Sequence, residues 1–209
     1  MRKFLVIVAI LVVLVIAADS LVRGLAERRA AAELQGALSL SEKPSVDIGG
    51  WPFLYRAVVQ PFPTVEISGR DVAIEGLTVT SFTLKLREVE LSLSQLLGGA
   101  PSIEIASGHG SIRMTSELIS ERLGAQDLPF EFSIDGDQAT LSSPELGGAV
   151  SADIALAGTS LTIDPPGLDP VSIDLPRVAD ELEYRSVRVS GDAVVATFGL
   201  RAGVIQLDD

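Results

Sequence analysis

Few residues of this chain belong to the types that carry acid–base, nucleophilic or metal chemistry. His109 is its only histidine, and it stands between two glycines in "SGHGS", where the simplest interpretation is a turn. A Ser-His-Asp triad would need this histidine, yet the G-x-S-x-G elbow of many hydrolases does not occur. With no cysteine, a zinc site would need three carboxylates beside His109, which is an uncommon ligand set. The sequence therefore predicts neither catalytic nor metal-ligating residues.

The glycine-rich and acidic motifs do not change that conclusion. "DGD" at 135–137 lacks the ligand spacing of a calcium loop and favours a hairpin turn. Gly108 and Gly110 lack the third glycine of a dinucleotide fingerprint, and no P-loop is present. The formal net charge of -12 argues against nucleic acid, whose phosphates require a basic face. We predict a protein that is not an enzyme, uses no cofactor and binds no nucleic acid.

A different kind of chemistry is concentrated in "IGGWPFLYR" and in "QPFPT" shortly after it. These stretches hold the only tryptophan and four other large side chains beside an arginine: Trp51, Phe53, Leu54, Tyr55, Arg56 and Phe62. Aromatic rings with a polar tip suit a membrane interface or the rim of an acyl-chain pocket. An arginine, Arg56 or the later Arg70, could pair with a phosphate. The alternative is a small core cluster under a loop, and the residue types alone leave both open.

The N-terminal sequence predicts that the protein is exported. Arg2 and Lys3 precede an unbroken apolar run of 15 residues, Phe4–Ala18. A helix of that length reaches roughly 22 Å, short of the roughly 30 Å hydrocarbon core of a bilayer. The length fits a signal peptide, and "VIAAD" offers small residues where it could be cleaved. Residues 1–18 are therefore predicted to be a signal peptide or an uncleaved N-terminal membrane anchor, and residues 19–209 a single domain.

The elements that must position the aromatic stretch follow from hydrophobic periodicity. Asp19–Leu38 has apolar residues at helical spacing, and from Ser45 onward the period is mostly two, which predicts strands. Phase slips near Ser81 and at Glu88 indicate bulges or short turns. Three short helices are predicted between strands: Pro52–Val59, Thr115–Leu123 and Pro176–Tyr184. The pattern indicates an α+β fold.

The order of these features resembles a known family. The helix ending in "ERRAAAELQGAL", followed by "PSVDIGGWPFLYRAVVQPFPTVEISGRDVAIEGLTV", is similar to the LmeA-like family of exported actinobacterial proteins, with the clearest match between Arg23 and Gly124. The resemblance implies a strongly curved, mostly antiparallel β-sheet wrapped around a long N-terminal amphipathic helix, as in tubular lipid-binding folds. It also implies phospholipid as a ligand, including phosphatidylinositol-type lipids, and support of lipomannan-type glycolipid assembly.

Together these inferences predict a phospholipid-binding protein of the cell envelope. It would act in the periplasm-like space on the outer side of the plasma membrane, holding acyl chains in an apolar groove, with Trp51, Phe53, Leu54, Tyr55, Arg56, Phe62 and Arg70 as its lipid-binding residues. The plasma membrane would be its other partner. The alternative is a structural or scaffold module with a filled interior, which docks an envelope enzyme.

Overall fold

Three helices and thirteen strands make up the described part of the chain. The computed structural model describes residues 2–37, 40–74, 77–90, 102–126, 128, 130–143, 148–176 and 181–206. The helices are α1 (Arg2–Ala37), α2 (Phe53–Val59) and α3 (Ser116–Gly124). The strands are β1 (Ser45–Ile48), β2 (Phe62–Ile74), β3 (Leu77–Val89), β4 (Ser102–Ile105), β5 (Ser107–Thr115), β6 (Glu131–Asp135), β7 (Gln138–Ser143), β8 (Gly148–Ala157), β9 (Ser160–Asp164), β10 (Val171–Asp174), β11 (Leu182–Ser190), β12 (Ala193–Leu200) and β13 (Gly203–Gln206).

These strands pair antiparallel in three sheets. A six-stranded sheet has the order β1-β2-β3-β5-β12-β11, a five-stranded sheet the order β10-β9-β8-β7-β6, and β13 pairs with β4. The predicted α+β class, antiparallel pairing and long N-terminal helix are confirmed. None of the sheets is strongly curled, so the predicted strongly curved sheet is not supported. α1 packs mainly against β1 and α2 instead of being wrapped by one sheet. A period of two fixes which face of a strand is buried but not which strands become neighbours.

The second half of α1 contributes to the core through one face. Ala31 and Leu34 are buried, and Ala26 and Ala30 pack partly against them. These positions recur every three to four residues, as expected for a helix that lies on a sheet. The helix predicted at Asp19–Leu38 is thus the second half of α1; residue 38 lies outside the described residues.

The predicted phase slips in β3 are visible in its burial. Val79 and Phe82 are both buried although they are three residues apart, and so are Leu86 and Val89. Glu88, between the last two, has a φ of 50°, which lies in the left-handed region. The strand therefore turns different sides to the core along its length, while its antiparallel pairing with β2 keeps one register.

Two sequence predictions about local structure are wrong. Ser107–Thr115 is strand β5, so His109 lies exposed in a strand rather than in a turn. Its glycine neighbours are needed for packing: a Cβ on Gly108 would lie 2.9 Å from Leu86, and one on Gly110 would collide with Phe198 and with a neighbouring backbone carbonyl. Glycine in a strand can mark such close approach, which a sequence pattern does not separate from a turn.

The helix predicted at Pro176–Tyr184 is the second error. Residues 177–180 lie outside the described residues, and the chain from Leu182 onward is strand β11. The hydroxyl of Tyr184 donates a hydrogen bond of 2.8 Å to the carbonyl oxygen of Pro176, and its ring meets Phe198 edge-on at 5.8 Å. The alternation of buried Leu182 and Tyr184 with exposed neighbours has the period of a strand, so the described end of the predicted helix is a strand.

The turn predicted at "DGD" is confirmed. Asp135 ends β6 and pairs with Gln138 at the start of β7, so Gly136 and Asp137 form a two-residue hairpin loop. Gly136 has a φ of 65°, a conformation that glycine adopts without a steric cost.

Candidate functional site

The aromatic stretch forms a short excursion between the edge strand β1 and β2. The amide of Gly49 donates a hydrogen bond of 2.8 Å to the carbonyl of Thr64, which closes the pairing of β1 with β2. Gly50, at a φ of 109°, then turns the chain away from the sheet. The peptide bonds preceding Pro52 and Pro61 are cis, and α2 lies between them. α2 is therefore anchored to the sheet at both ends.

The first turn of α2 is capped by a residue from another helix. Pro52, at its N-cap, makes no side-chain capping bond. The carboxylate of Asp19 on α1 supplies it instead, accepting hydrogen bonds from the backbone amides of Phe53 (2.9 Å) and Leu54 (2.8 Å). Asp19 is buried, and its negative charge lies at the end of α2 where the helix amides leave partial positive charge. This contact fixes α2 against α1.

Beneath α2, two of the predicted site residues belong to the core. Phe53 is 2% exposed and Phe62 is fully buried, and their rings are 5.5 Å apart in a tilted arrangement. Ala57, one turn after Phe53, is buried on the same side of α2. These side chains pack beneath α2 as part of the core, which is what the alternative interpretation of the aromatic stretch predicted for them.

The opposite side of α2 is exposed and apolar. Trp51 is 72% and Val58 74% exposed, and Leu54, Tyr55 and Val59 are also open to the surroundings. Next to them, α1 exposes three further apolar side chains beyond Asp19. We call this surface the apolar collar; its members are Leu21, Val22, Leu25, Trp51, Leu54, Tyr55, Val58 and Val59. The structure thus brings Trp51, Leu54 and Tyr55 together and adds five residues that sequence analysis did not single out.

The collar continues into the first half of α1. Ile10 and the consecutive residues from Val12 to Ile16 are exposed. Five consecutive positions exceed the 3.6 residues of one helical turn, so apolar side chains are exposed in every direction around this segment. In the described part of the chain, no helix is long and apolar enough to cross a membrane.

The arginines considered for the site lie in different parts of the structure. Arg56 lies half-exposed on α2 beside the collar, and Arg28 is exposed on α1, three residues after Leu25. Within the described residues neither makes an ion pair. Arg70 is exposed on β2, eight residues beyond Phe62 and hence roughly 26 Å further along the strand. The structure therefore brings Arg56, and not Arg70, to the collar.

A second polar contact holds α1 to the sheet. The carboxylate of Glu27 accepts hydrogen bonds from Arg23 (2.8 Å) and from the backbone amide of Ile48 (3.0 Å), and Arg23 also contacts Asp47 at 2.9 Å. The hydrogen bond with Glu27 raises the pKa of Arg23 above its ordinary value. Since arginine is not deprotonated in proteins, Arg23 keeps its positive charge in this contact.

The described clefts elsewhere are open and partly polar. One, of about 810 Å³, lies along the five-stranded sheet, and its lining includes Asp135, Asp153, Asp164 and Arg188. Another, of about 480 Å³, is bordered by Ser120 and Phe130 among others. In the ranges that the structure describes, no three or more His, Cys, Asp or Glu side chains are grouped so as to hold a metal ion. Neither cleft has the apolar exposure of the collar.

The fold and the collar define a β-rich domain with a large exposed apolar surface next to a long N-terminal helix. The model of the LmeA-like phospholipid-binding family matches residues 17–208, and the chain belongs to that family. No curated protein and no solved structure matches it. The match begins two residues before Asp19 and so includes every member of the collar.

Sequence analysis missed Asp19 because it follows the apolar run, where it was taken as the residue after a cleavage site. One signal was available. A helix that begins at Phe53 without Ser, Thr, Asp or Asn before it leaves its first amides without a local acceptor. Such amides need an acceptor from outside the local sequence, such as water or a distant side chain, and only the fold identifies it as Asp19.

Proposed function

We propose that this protein is a non-enzymatic phospholipid-binding protein of the cell envelope, exported to the outer side of the plasma membrane. Membership of the LmeA-like phospholipid-binding family supports the ligand class. The observation that carries the proposal for this chain is the apolar collar, with Trp51 exposed at one end of α2 and Val58 at the other. Water-exposed apolar surface of this extent in one place marks a site for an apolar partner.

In this proposal the collar forms the mouth of an apolar groove that holds the acyl chains. Burial of a lipid chain yields about 0.8 kcal/mol per methylene, so apolar contact supplies most of the affinity. Arg56 and Arg28, which make no ion pair within the described residues, would bind the headgroup phosphate. Phosphatidylinositol-type lipids are the first candidates, and support of lipomannan-type glycolipid assembly is the wider role.

The experiment is to count lipids on the purified protein. The full chain is purified in a detergent free of lipid, incubated with mixed phospholipids and separated from the unbound lipid. The bound lipid is then extracted, and the amount of phospholipid per protein is measured by mass spectrometry. We expect about one lipid per chain, and a several-fold loss in a Leu54→Ser, Val58→Ser double variant. Both residues are exposed, so the variant keeps the fold.

Leu168→Ser is the matched control, because Leu168 is also exposed but lies in the loop between β9 and β10. It should retain the lipid of the unchanged protein. Protein that carries no phospholipid under these conditions, together with a crosslinked envelope protein at Trp51, would support the scaffold alternative instead.

A further inference from the structure

The apolar run of α1 is followed along the same helix by the collar residues Leu21, Val22 and Leu25. Exposed apolar side chains occur from Ile10 to Leu25, a length of roughly 22 Å along the helix, although Ser20 among them is exposed and polar. At the next outward positions, Arg28 and Arg29, the surface becomes charged. The change from Leu25 to Arg28 occurs within one helical turn, and α2 joins α1 at Asp19, nine residues or roughly 14 Å before Arg28. The collar therefore lies at the boundary between an apolar and a polar zone.

The nature of the partner follows from the geometry of the apolar zone. A protein partner that docks on a helix commonly covers one face of it. The segment from Val12 to Ile16 exposes apolar side chains in all directions, which is the pattern of a helix surrounded by lipid. Trp51 and Tyr55, at the boundary, are the residue types enriched where hydrocarbon meets water.

The distribution of charge agrees with this orientation. Residues 4–60, which carry the whole collar, contain 5 basic and 5 acidic side chains and no net charge, and Arg2 and Lys3 precede them at the N-terminus. Residues 61–209 contain 9 basic and 23 acidic side chains, a net charge of -14. An anionic membrane surface repels the acidic second part, but not the neutral first part, within a Debye length of about 8 Å. The acidic body would thus point away from the membrane.

We propose that the apolar collar is a docking surface for an anionic phospholipid bilayer, with Trp51 and Tyr55 at its interface, Arg28 and Arg56 among its phosphates, and the acidic body held outward. The Asp19 cap makes this orientation rigid, because it fixes α2 against the helix that enters the apolar phase. This inference concerns a bilayer and goes beyond binding of a single lipid, so the two stand or fall separately.

The single tryptophan provides the test. The full chain is reconstituted into vesicles of equal parts phosphatidylcholine and phosphatidylglycerol, and Trp51 fluorescence is quenched either by lipids brominated near the carbonyl or by aqueous iodide. We expect strong quenching by the brominated lipid and several-fold protection from iodide relative to free tryptophan. If the protein attaches to the membrane through α1 alone, Trp51 stays in water. Full quenching of Trp51 by iodide, without quenching by the brominated lipid, would show this and would overturn the proposal.

Variants sharpen the assignment to the collar. Leu54→Asp with Val58→Asp should lift Trp51 from the interface and raise its iodide quenching several-fold. Leu168→Asp, at an exposed position away from the collar, should leave both quenchers unchanged. If Trp51 of the charged collar variant is quenched to the same extent as Trp51 of the unchanged protein, the collar is not the docking surface.

Two further outcomes identify other occupants and also overturn the proposal. Protection from iodide without quenching by brominated lipid means that protein covers the collar, either a partner or a second copy. A response of Trp51 to a monomeric short-chain phospholipid but not to the bilayer means that the collar takes up single lipids only. That last result would leave the proposed function standing while the docking surface fails.

Discussion

The carboxylate of Asp19 lies 2.9 Å from the backbone nitrogen of Phe53, a residue 34 positions later in the chain. The same carboxylate reaches the amide of Leu54 at 2.8 Å. One buried side chain on the long N-terminal helix thereby caps the short helix that follows Trp51 and holds it against the helix that carries Leu21, Val22 and Leu25. The position of α2 depends on this contact more than on any propensity of its own seven residues, since helices this short are marginal alone.

Replacement of Asp19 by alanine should therefore loosen α2. Two amides lose their acceptor, and we expect a loss of about 2 kcal/mol in the free energy of unfolding. Denaturant titration in detergent measures the loss, and hydrogen exchange should become faster at the amides of Phe53 and Leu54. Glu33→Ala is the control: Glu33 forms an exposed pair with Arg29 on the same helix and should cost less than about 1 kcal/mol. Unchanged exchange in the Asp19 variant would contradict the capping role.

The buried and exposed aromatics should differ sharply in their effect on stability. Phe62→Ala removes a fully buried ring packed against Phe53 and should destabilise the protein by about 3–5 kcal/mol. Trp51→Ala changes a side chain that is 72% exposed and should alter stability by no more than about 0.5 kcal/mol. Chemical denaturation of both variants gives the comparison. A large loss with Trp51→Ala would mean that the indole packs against the core.

The glycines that flank His109 can be tested as strand residues. Gly110→Ala places a Cβ against Phe198 and should destabilise by about 1–3 kcal/mol through overpacking. Gly148→Ala, in strand β8, meets nothing within 4 Å and should be neutral or slightly stabilising. Thermal unfolding of the pair distinguishes them, and equal melting temperatures would indicate that "SGHGS" is a loose turn after all.

His109 itself should be dispensable. It is exposed on β5, opposite Lys85 and Gly199 on the neighbouring strands. His109→Ala should change stability by no more than about 0.5 kcal/mol and leave phospholipid per protein unchanged. Loss of bound lipid in this variant, with the fold intact by circular dichroism, would assign His109 a role in the site.

Arg56 should contribute to anionic-lipid preference through its charge. A basic residue near such a surface is worth about 1 kcal/mol, so Arg56→Gln should weaken binding to phosphatidylglycerol vesicles about fivefold at low salt. Binding to neutral vesicles should not change, and the difference should vanish near 1 M salt, where the Debye length is about 3 Å. Arg188→Gln is the matched control, because Arg188 lines the cleft on the five-stranded sheet. Equal losses in both variants would indicate a general charge effect.

Periodicity in the sequence was sufficient to predict whether most elements are helices or strands. The helix at α2 was predicted within one residue of its observed start, and the α+β class was predicted as well, whereas antiparallel pairing was implied by the family resemblance. Prediction from periodicity and residue type failed where one residue type serves two purposes. Gly108 and Gly110 mark close packing rather than a turn, and Leu182–Tyr184, predicted as the end of a helix, belongs to a strand. These choices depend on neighbours such as Phe198 that are distant in sequence.

The candidate site was predicted as a stretch of chain rather than as a surface. Its residue types indicated an apolar contact, yet they could not separate Phe53 and Phe62, which are buried, from Trp51 and Tyr55, which are exposed. α2 is short, and large apolar residues occupy all of its sides, so no polar face reveals which side packs inward. Leu21, Val22 and Leu25 come from α1 and lie more than twenty positions before the start of α2.

The sequence by itself determined the alternation of strands, the α+β class, the acidic balance and the presence of an apolar, aromatic-rich segment beside Arg56, because each depends on residues that are close in the chain. Only the tertiary structure decided that the strands divide into three sheets, that Arg70 lies far from Trp51, and that Asp19 joins two helices into one collar. The physical reason is that burial and capping are satisfied by whichever group the fold brings within reach, and local sequence does not specify that group.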